Sequence, residues 1–203
     1  MERSEFFIIA IAGGSGAGKS TLCRKITSHF GAENVGVIRQ DSYYIDQSAK
    51  FKEDGGDINF DHPESLDFSL MDAHLELIKQ GQNIEIPVYH FPTHCRLKEV
   101  IDFEPRKLNL VDGTLILSRP NLQEHFDHRV FIQVPDELRF SRRLNRDVKE
   151  RGREYEGIKK QYDNHVRPMY DEYVGPSALC ADQIIKNDQH IADLLEYLEQ
   201  LVE

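Results

Sequence analysis

The stretch Phe6-Phe7-Ile8-Ile9-Ala10-Ile11-Ala12-Gly13-Gly14-Ser15-Gly16-Ala17-Gly18-Lys19-Ser20 decides the fold. Its first seven residues, Phe6 to Ala12, are apolar and Ile-rich, and glycines end them. Such a short apolar run reads as a strand buried on both faces. The part from Gly13 to Ser20 fits the pattern G-x-x-x-x-G-K-[ST]. In that pattern, glycines let backbone N–H groups turn inward around phosphate oxygens. The helix that follows adds its free N–H groups and its positive end. Lys19 would reach the β- and γ-phosphates of a nucleoside triphosphate, and Ser20 would ligate Mg²⁺. A bare glycine-rich turn is the plain alternative. It lacks the strand before and the helix after, which here runs from Lys19 to Phe30 and stops at Gly31.

Outward from this loop, strands and helices alternate. Further strands are expected at Val35–Arg39, at 108–117 with an interruption at Asp112-Gly113, at 129–134 and at 181–185. Residues 84–91 and 99–103 read as a strand pair, with Pro87 marking an edge. Helices are expected from Pro63 to Gly81, from Pro135-Asp136 to about Glu150, over 155–173 and over 191–202. Residues 45–59 are polar and contain Gly55-Gly56, which marks a loop. The pattern predicts an α/β fold: a three-layer phosphate-loop NTPase core on a mostly parallel sheet. A small β-hairpin (84–103) and a helical lid (about 139–160) join it, all in one domain over residues 1–203. Ligands of such sheets bind beyond the carboxyl ends of the strands.

Composition narrows the function. The chain has 25 Lys and Arg against 35 Asp and Glu, a net charge of −10. That makes a poor general binder of nucleic acid or of an anionic membrane surface. The apolar runs stay well under membrane-spanning length, so no span is expected. Acids precede the first apolar run and glycines follow it, unlike a secretory signal. Cys23, Cys95 and Cys180 lie far apart, which suits a reducing, cytoplasmic compartment.

Three aspartates fall where chemistry would need them. Asp41 follows the strand 35–39 and could accept the proton of an attacking hydroxyl; it could equally be a turn residue. Asp112 ends an apolar strand, the place of a second Mg²⁺ anchor in phosphate-loop enzymes. It could also open an Asp-Gly turn. Asp61, before His62-Pro63, reads by itself as a helix cap.

Between 139 and 153 lie Arg139, Arg142, Arg143, Arg146, Lys149, Arg151 and Arg153, against Asp147 and Glu150. Residues 139, 142, 143 and 146 share one helical face. A run like this is commonly a solvated basic face. In an acidic chain with a polyphosphate loop, it could instead close over the triphosphate and neutralise developing charge. Tyr89 and Phe91 point the same way on a strand, as core residues or as a pocket for a flat base with His94 beside them.

Taken in order, GGSGAGKST, QDSYY, NFDHP, PVYHFPTH, SRRLNRDVKERGR, Gln161-Tyr162 and RPMY resemble the uridine kinase (uridine–cytidine kinase) family over about residues 7–185. The resemblance implies ATP- and Mg²⁺-dependent phosphorylation of the 5′-hydroxyl of uridine, and of cytidine, in pyrimidine salvage. It implies that Gly13, Gly14, Ser15, Gly16, Ala17, Gly18, Lys19, Ser20 and Thr21 hold the donor, and that Ser20 and Asp112 serve the metal. Asp41 would be the general base, assisted by Lys19 and by the lid residues Arg146 and Arg151. Asp61 and Arg143 would hold the sugar hydroxyls. Tyr44, Phe60, Tyr89, Phe91, His94, Arg153 and Gln161 would form the nucleoside pocket. Family members are commonly tetramers. The chain departs from the family in having Asp112-Gly113 for Glu-Gly and in lacking Pro-Arg-Gly after Ile185. Other readings of the same loop are a kinase of another small hydroxyl acceptor, as in phosphoribulokinases, and a weakly catalytic nucleotide-binding regulator.

Overall fold

A computed structural model describes residues 5–49 and 58–203. Most of the loop expected at 45–59 therefore lies outside the described residues. The chain forms β1 (Phe7–Gly13), α1 (Lys19–Phe30) and β2 (Val35–Arg39), then α2 (Phe68–Lys79). β3 (Ile84–His90), β4 (Cys95–Phe103), β5 (Leu108–Gly113), α3 (Pro120–Gln123) and β6 (His128–Ile132) follow. α4 (Asp136–Arg151), α5 (Tyr155–Gln161), β7 (Gln183–Ile185) and α6 (Asp188–Val202) complete the order. After α5 the chain stays helical to Cys180, through two π-helical turns at Tyr162–Val166 and Tyr170–Val174.

Five strands make one parallel sheet in the order β2-β5-β1-β6-β7. β1 is central and its residues Ile8 to Ala12 have no exposed surface, which is why the sequence there is an unbroken apolar run. On one face, Leu22, Cys23 and Ile26 of α1 pack with Leu194 and Leu198 of α6 against Ile9, Ile11 and Leu110. On the other, Met71, Leu75 and Ile78 of α2 pack with Val174 and Ile116 against Ile8, Ala10 and Val111. The expected three layers are these two faces and the sheet between them.

Some boundaries moved for physical reasons. The strand expected to 117 stops at Gly113, and Ile116–Ser118 is a 3₁₀ turn. Gln40 forces the stop: its Oε1 accepts the Leu115 N–H (2.8 Å), and a Cβ on Gly113 would stand 2.6 Å from that oxygen. The helix expected from Pro63 is a 3₁₀ turn (Pro63–Ser65), with α2 beginning afresh at Phe68 under an Asp67 cap. β3 and β4 form the antiparallel hairpin, longer than expected because β4 starts at Cys95. Pro87 cannot donate to the ladder, and the pairing shifts between it and Tyr89.

Candidate active site

The loop after β1 turns at Gly16, where φ is +79°. A Cβ there would lie 2.3 Å from the Arg139 carbonyl oxygen, so only glycine fits the close approach to α4. Gly18, which has no side chain, stands at the N-cap of α1, and the first turn is Lys19-Ser20-Thr21. The helix therefore offers its first N–H groups and its positive end to an anion. Lys19 Nζ folds over the loop and donates to the carbonyls of Gly13 (3.0 Å) and Gly14 (3.3 Å). Burial lowers the pKa of its ammonium, while the nearby charges of Asp112 and Asp41 oppose that shift.

Ser20 Oγ donates to Asp112 Oδ2 at 2.8 Å, joining the first turn of α1 to the end of β5. This is a hard-oxygen donor set next to the phosphate cradle, which fits Mg²⁺. Among the described residues, no group of three or more His, Cys, Asp or Glu side chains could hold a metal alone. Phosphate and water oxygens would complete the shell. Asp41 lies in the 3₁₀ turn Gln40–Tyr43 immediately after β2, exposed, with its charge felt at Lys19 and at the Tyr44 hydroxyl.

Around Tyr44 the rings expected to line a pocket lie together. Its ring lies 5.5 Å from Phe60, 5.2 Å from Tyr89 and 6.2 Å from Phe91. Phe60 stacks on His94 at 4.6 Å, and the Tyr89 hydroxyl is 3.5 Å from His94 Nδ1. Phe91 is 42% exposed, so it is the open rim of the cluster rather than core. Burial raises the pKa of the Tyr44 hydroxyl well above its usual value; Asp41 and Asp61 add to the shift and Arg143 opposes it. Burial also raises the Asp61 carboxyl, with Arg143 the first of the cations that hold it down. The cap reading of Asp61 does not hold, because the His62 ring accepts the Glu64 N–H instead.

The arginine stripe is only in part a solvated face: Arg142 and Lys149 are exposed, whereas Arg139 and Arg143 are buried. Arg139 is 2% exposed and its guanidinium lies 3.6 Å over the Tyr170 ring. Arg143, also buried, donates to Ser15 Oγ (2.9 Å) and to Gln161 Oε1 (3.0 Å). Arg153 donates to the same Gln161 oxygen at 2.8 Å. Arg146 makes its influence felt at both Lys19 and Asp61. Arg151 closes α4, and its side chain lies outside the described residues.

The model of the Phosphoribulokinase / Uridine kinase family matches residues 8–191. The chain belongs to that family. Over 182 residues it is 43% identical to the uridine kinase of Pasteurella multocida (strain Pm70), covering 88% of this chain and 84% of that one. It is 41% identical to the uridine kinase of Salmonella paratyphi B (strain ATCC BAA-1250 / SPB7), covering 88% and 85%. The solved phosphoribulokinase from Rhodobacter spheroides superposes with a TM-score of 0.66 at 14% identity, over 89% of this chain and 71% of that one. That likeness is one of fold.

Three residues of this phosphoribulokinase/uridine kinase family member escaped the sequence reading. Gln40 ties the Asp41 turn to the end of β5. Arg96 of β4 donates to the carbonyls of Tyr43 and Tyr44 (both 3.1 Å) and to Asp67 (2.8 Å), and so ties the hairpin to the Asp41 turn. Asp147, fully buried, faces Arg143, Arg146 and Arg153. Only Asp147 carried a signal: it stands four residues after Arg143 inside the basic run.

Proposed function

We propose that this kinase transfers the γ-phosphoryl group of ATP to the 5′-hydroxyl of uridine, and of cytidine, as one catalytic domain. The observation that carries the reading is the meeting, around Tyr44, of a ring pocket with Asp41 and Asp61, beside the loop that holds Lys19. A flat base fits among Phe60, Tyr89, Phe91 and His94. Asp61 and Arg143 would hold the sugar hydroxyls. Asp41 removes the proton of the attacking hydroxyl.

On the donor side, the backbone from Gly13 to Thr21 cradles the phosphates and Lys19 neutralises them. Ser20 and Asp112 would hold Mg²⁺, which when bound supplies positive charge to the phosphate oxygens. Arg143 and Arg146 face the zone between donor and acceptor, where charge spreads over the transferring group. The relatives named uridine kinase, at 41–43% identity over most of the chain, support uridine over a sugar phosphate. Leu97, Val100 and Ile101 are exposed apolar side chains on the hairpin, which supports a homo-oligomer; light scattering tests it. Free thiols at Cys23, Cys95 and Cys180 suit a reducing cytoplasm.

The test is ADP release with a panel of acceptors. Uridine and cytidine should stimulate release, and ribulose 5-phosphate should not. Release with the sugar phosphate alone, or with no acceptor in the panel, overturns the reading.

A further inference from the structure

Asp147 is the least accessible carboxylate in the lid, with 0% exposure, in the middle of the most basic segment of the chain. A buried carboxylate is costly unless it is paired. Among the described residues, this one faces three guanidinium groups. Arg146 Nε donates to its Oδ1 at 3.0 Å, while Arg153 Nη1 and Arg143 Nε stand 3.5 and 3.6 Å from its Oδ2. Its backbone carbonyl also accepts the N–H groups of Gly152 and Arg153. Gly152 has φ +62°, and this reversal brings Arg153 back beside Arg143.

The same three guanidinium groups face outward to three different places. Arg143 reaches Ser15 in the phosphate loop. Arg146 is felt at Lys19 and Asp61. Arg153 is felt at His94 in the ring pocket and shares Gln161 with Arg143. Three cations this close repel one another, and water would draw them apart. One anion inside the fork offsets that repulsion.

We infer that Asp147 is a positioning residue for phosphoryl transfer: its buried carboxylate holds Arg143, Arg146 and Arg153 in one fork aimed at the donor loop and the acceptor pocket. The inference rests on the proposed reading that these arginines serve the transferring group. A group displaced by about 1 Å can cost about a hundredfold in rate.

Asp147→Asn keeps the size and one oxygen acceptor but removes the charge. Turnover should fall about a hundredfold and the KM for uridine should rise, since Arg143 and Arg153 also face the acceptor pocket, while the KM for ATP stays within about threefold of wild type. The decisive measurement is a double-mutant cycle with Arg146→Ala. If Asp147 acts in part through Arg146, then Asp147→Asn costs at least about threefold less in that background than in wild type, the remainder coming from Arg143 and Arg153. Equal losses in both backgrounds overturn the proposal, as does wild-type turnover in Asp147→Asn. Should that variant not fold, Asp147→Glu, which moves the charge by one methylene, enters the same cycle with the same criteria. Wild-type protein silent with uridine rejects the acceptor reading instead, and the cycle is then run with the acceptor that the panel returns.

Discussion

Ser20 Oγ donates a 2.8 Å hydrogen bond to Asp112 Oδ2, across 92 positions of sequence. The contact bridges the first turn of α1 and the end of β5, neighbours of one crevice at the carboxyl edge of the sheet. Chain leaving β1 crosses to β2, whereas chain leaving β5 crosses the other way to β6. Ligands settle where the connections part. An aspartate, though shorter than glutamate, reaches Ser20 directly here.

The first prediction follows from that contact. Asp112→Asn keeps a hydrogen-bond acceptor for Ser20 but loses the negative charge that favours a divalent cation. The Mg²⁺ concentration for half-maximal rate should rise about tenfold, and chelation should abolish turnover in both proteins. Mg²⁺ titration at fixed ATP measures it. An unchanged Mg²⁺ requirement would remove Asp112 from the metal site.

Asp41 is exposed at the end of β2 and its charge reaches both Lys19 and Tyr44. A base in this position acts on the acceptor proton and contributes little to holding either ligand. Asp41→Asn should lower kcat about a hundredfold or more. Dissociation constants for ATP and uridine, taken by calorimetry, should stay within about threefold. Normal turnover in this variant would rule out the proton-accepting role.

Arg96 fastens the hairpin to the Asp41 turn through Tyr43, Tyr44 and Asp67. Burial raises the Asp67 carboxyl, but the Arg96 hydrogen bond and the Leu70 N–H outweigh it, so its pKa lies below the ordinary value. Arg96→Ala should cost about 2 kcal/mol, discounted for the partial exposure of the pair. In melting temperature that is about 6 °C. A carboxyl depressed in the fold stabilises above its unfolded pKa, near 3.9, and loses that contribution as pH falls through the folded value. The gap between wild type and variant should therefore be full at pH 6 and shrink below about pH 4. A gap independent of pH would assign the loss to packing alone.

Much of this was legible in local sequence, and what was not has a common cause. The phosphate loop, α1 and β2 could be read because apolar runs, glycines and the Lys19-Ser20 pair act on their immediate neighbours. Asp41 and Asp112 could be placed because strand ends fix them. Gln40 and Arg96 could not, since each works through partners brought close only by the fold: Leu115 for Gln40, Tyr43, Tyr44 and Asp67 for Arg96. Arg139 was legible as part of a basic face but not as a buried guanidinium stacked on Tyr170, thirty-one positions away. Helical spacing says which side chains share a face; it does not say what covers that face.

His94 gives the last prediction. Burial lowers its pKa first, and the positive charge of Arg153 lowers it further. The ring is therefore neutral at pH 7, with Nδ1 near the Tyr89 hydroxyl and stacked on Phe60. A histidine depressed in the fold contributes fully above its ordinary pKa, near 6.5, and loses that contribution as pH falls through its folded value. Uridine KM should be flat from about pH 8 to about pH 6.5 and rise at lower pH, while ATP KM stays level. Arg153→Ala removes the repulsion, so the rise should begin at a higher pH in that variant than in wild type. Two KM profiles with the same midpoint would show that Arg153 does not set the charge state of His94, and a flat wild-type profile down to pH 5 would show that His94 does not touch the nucleoside.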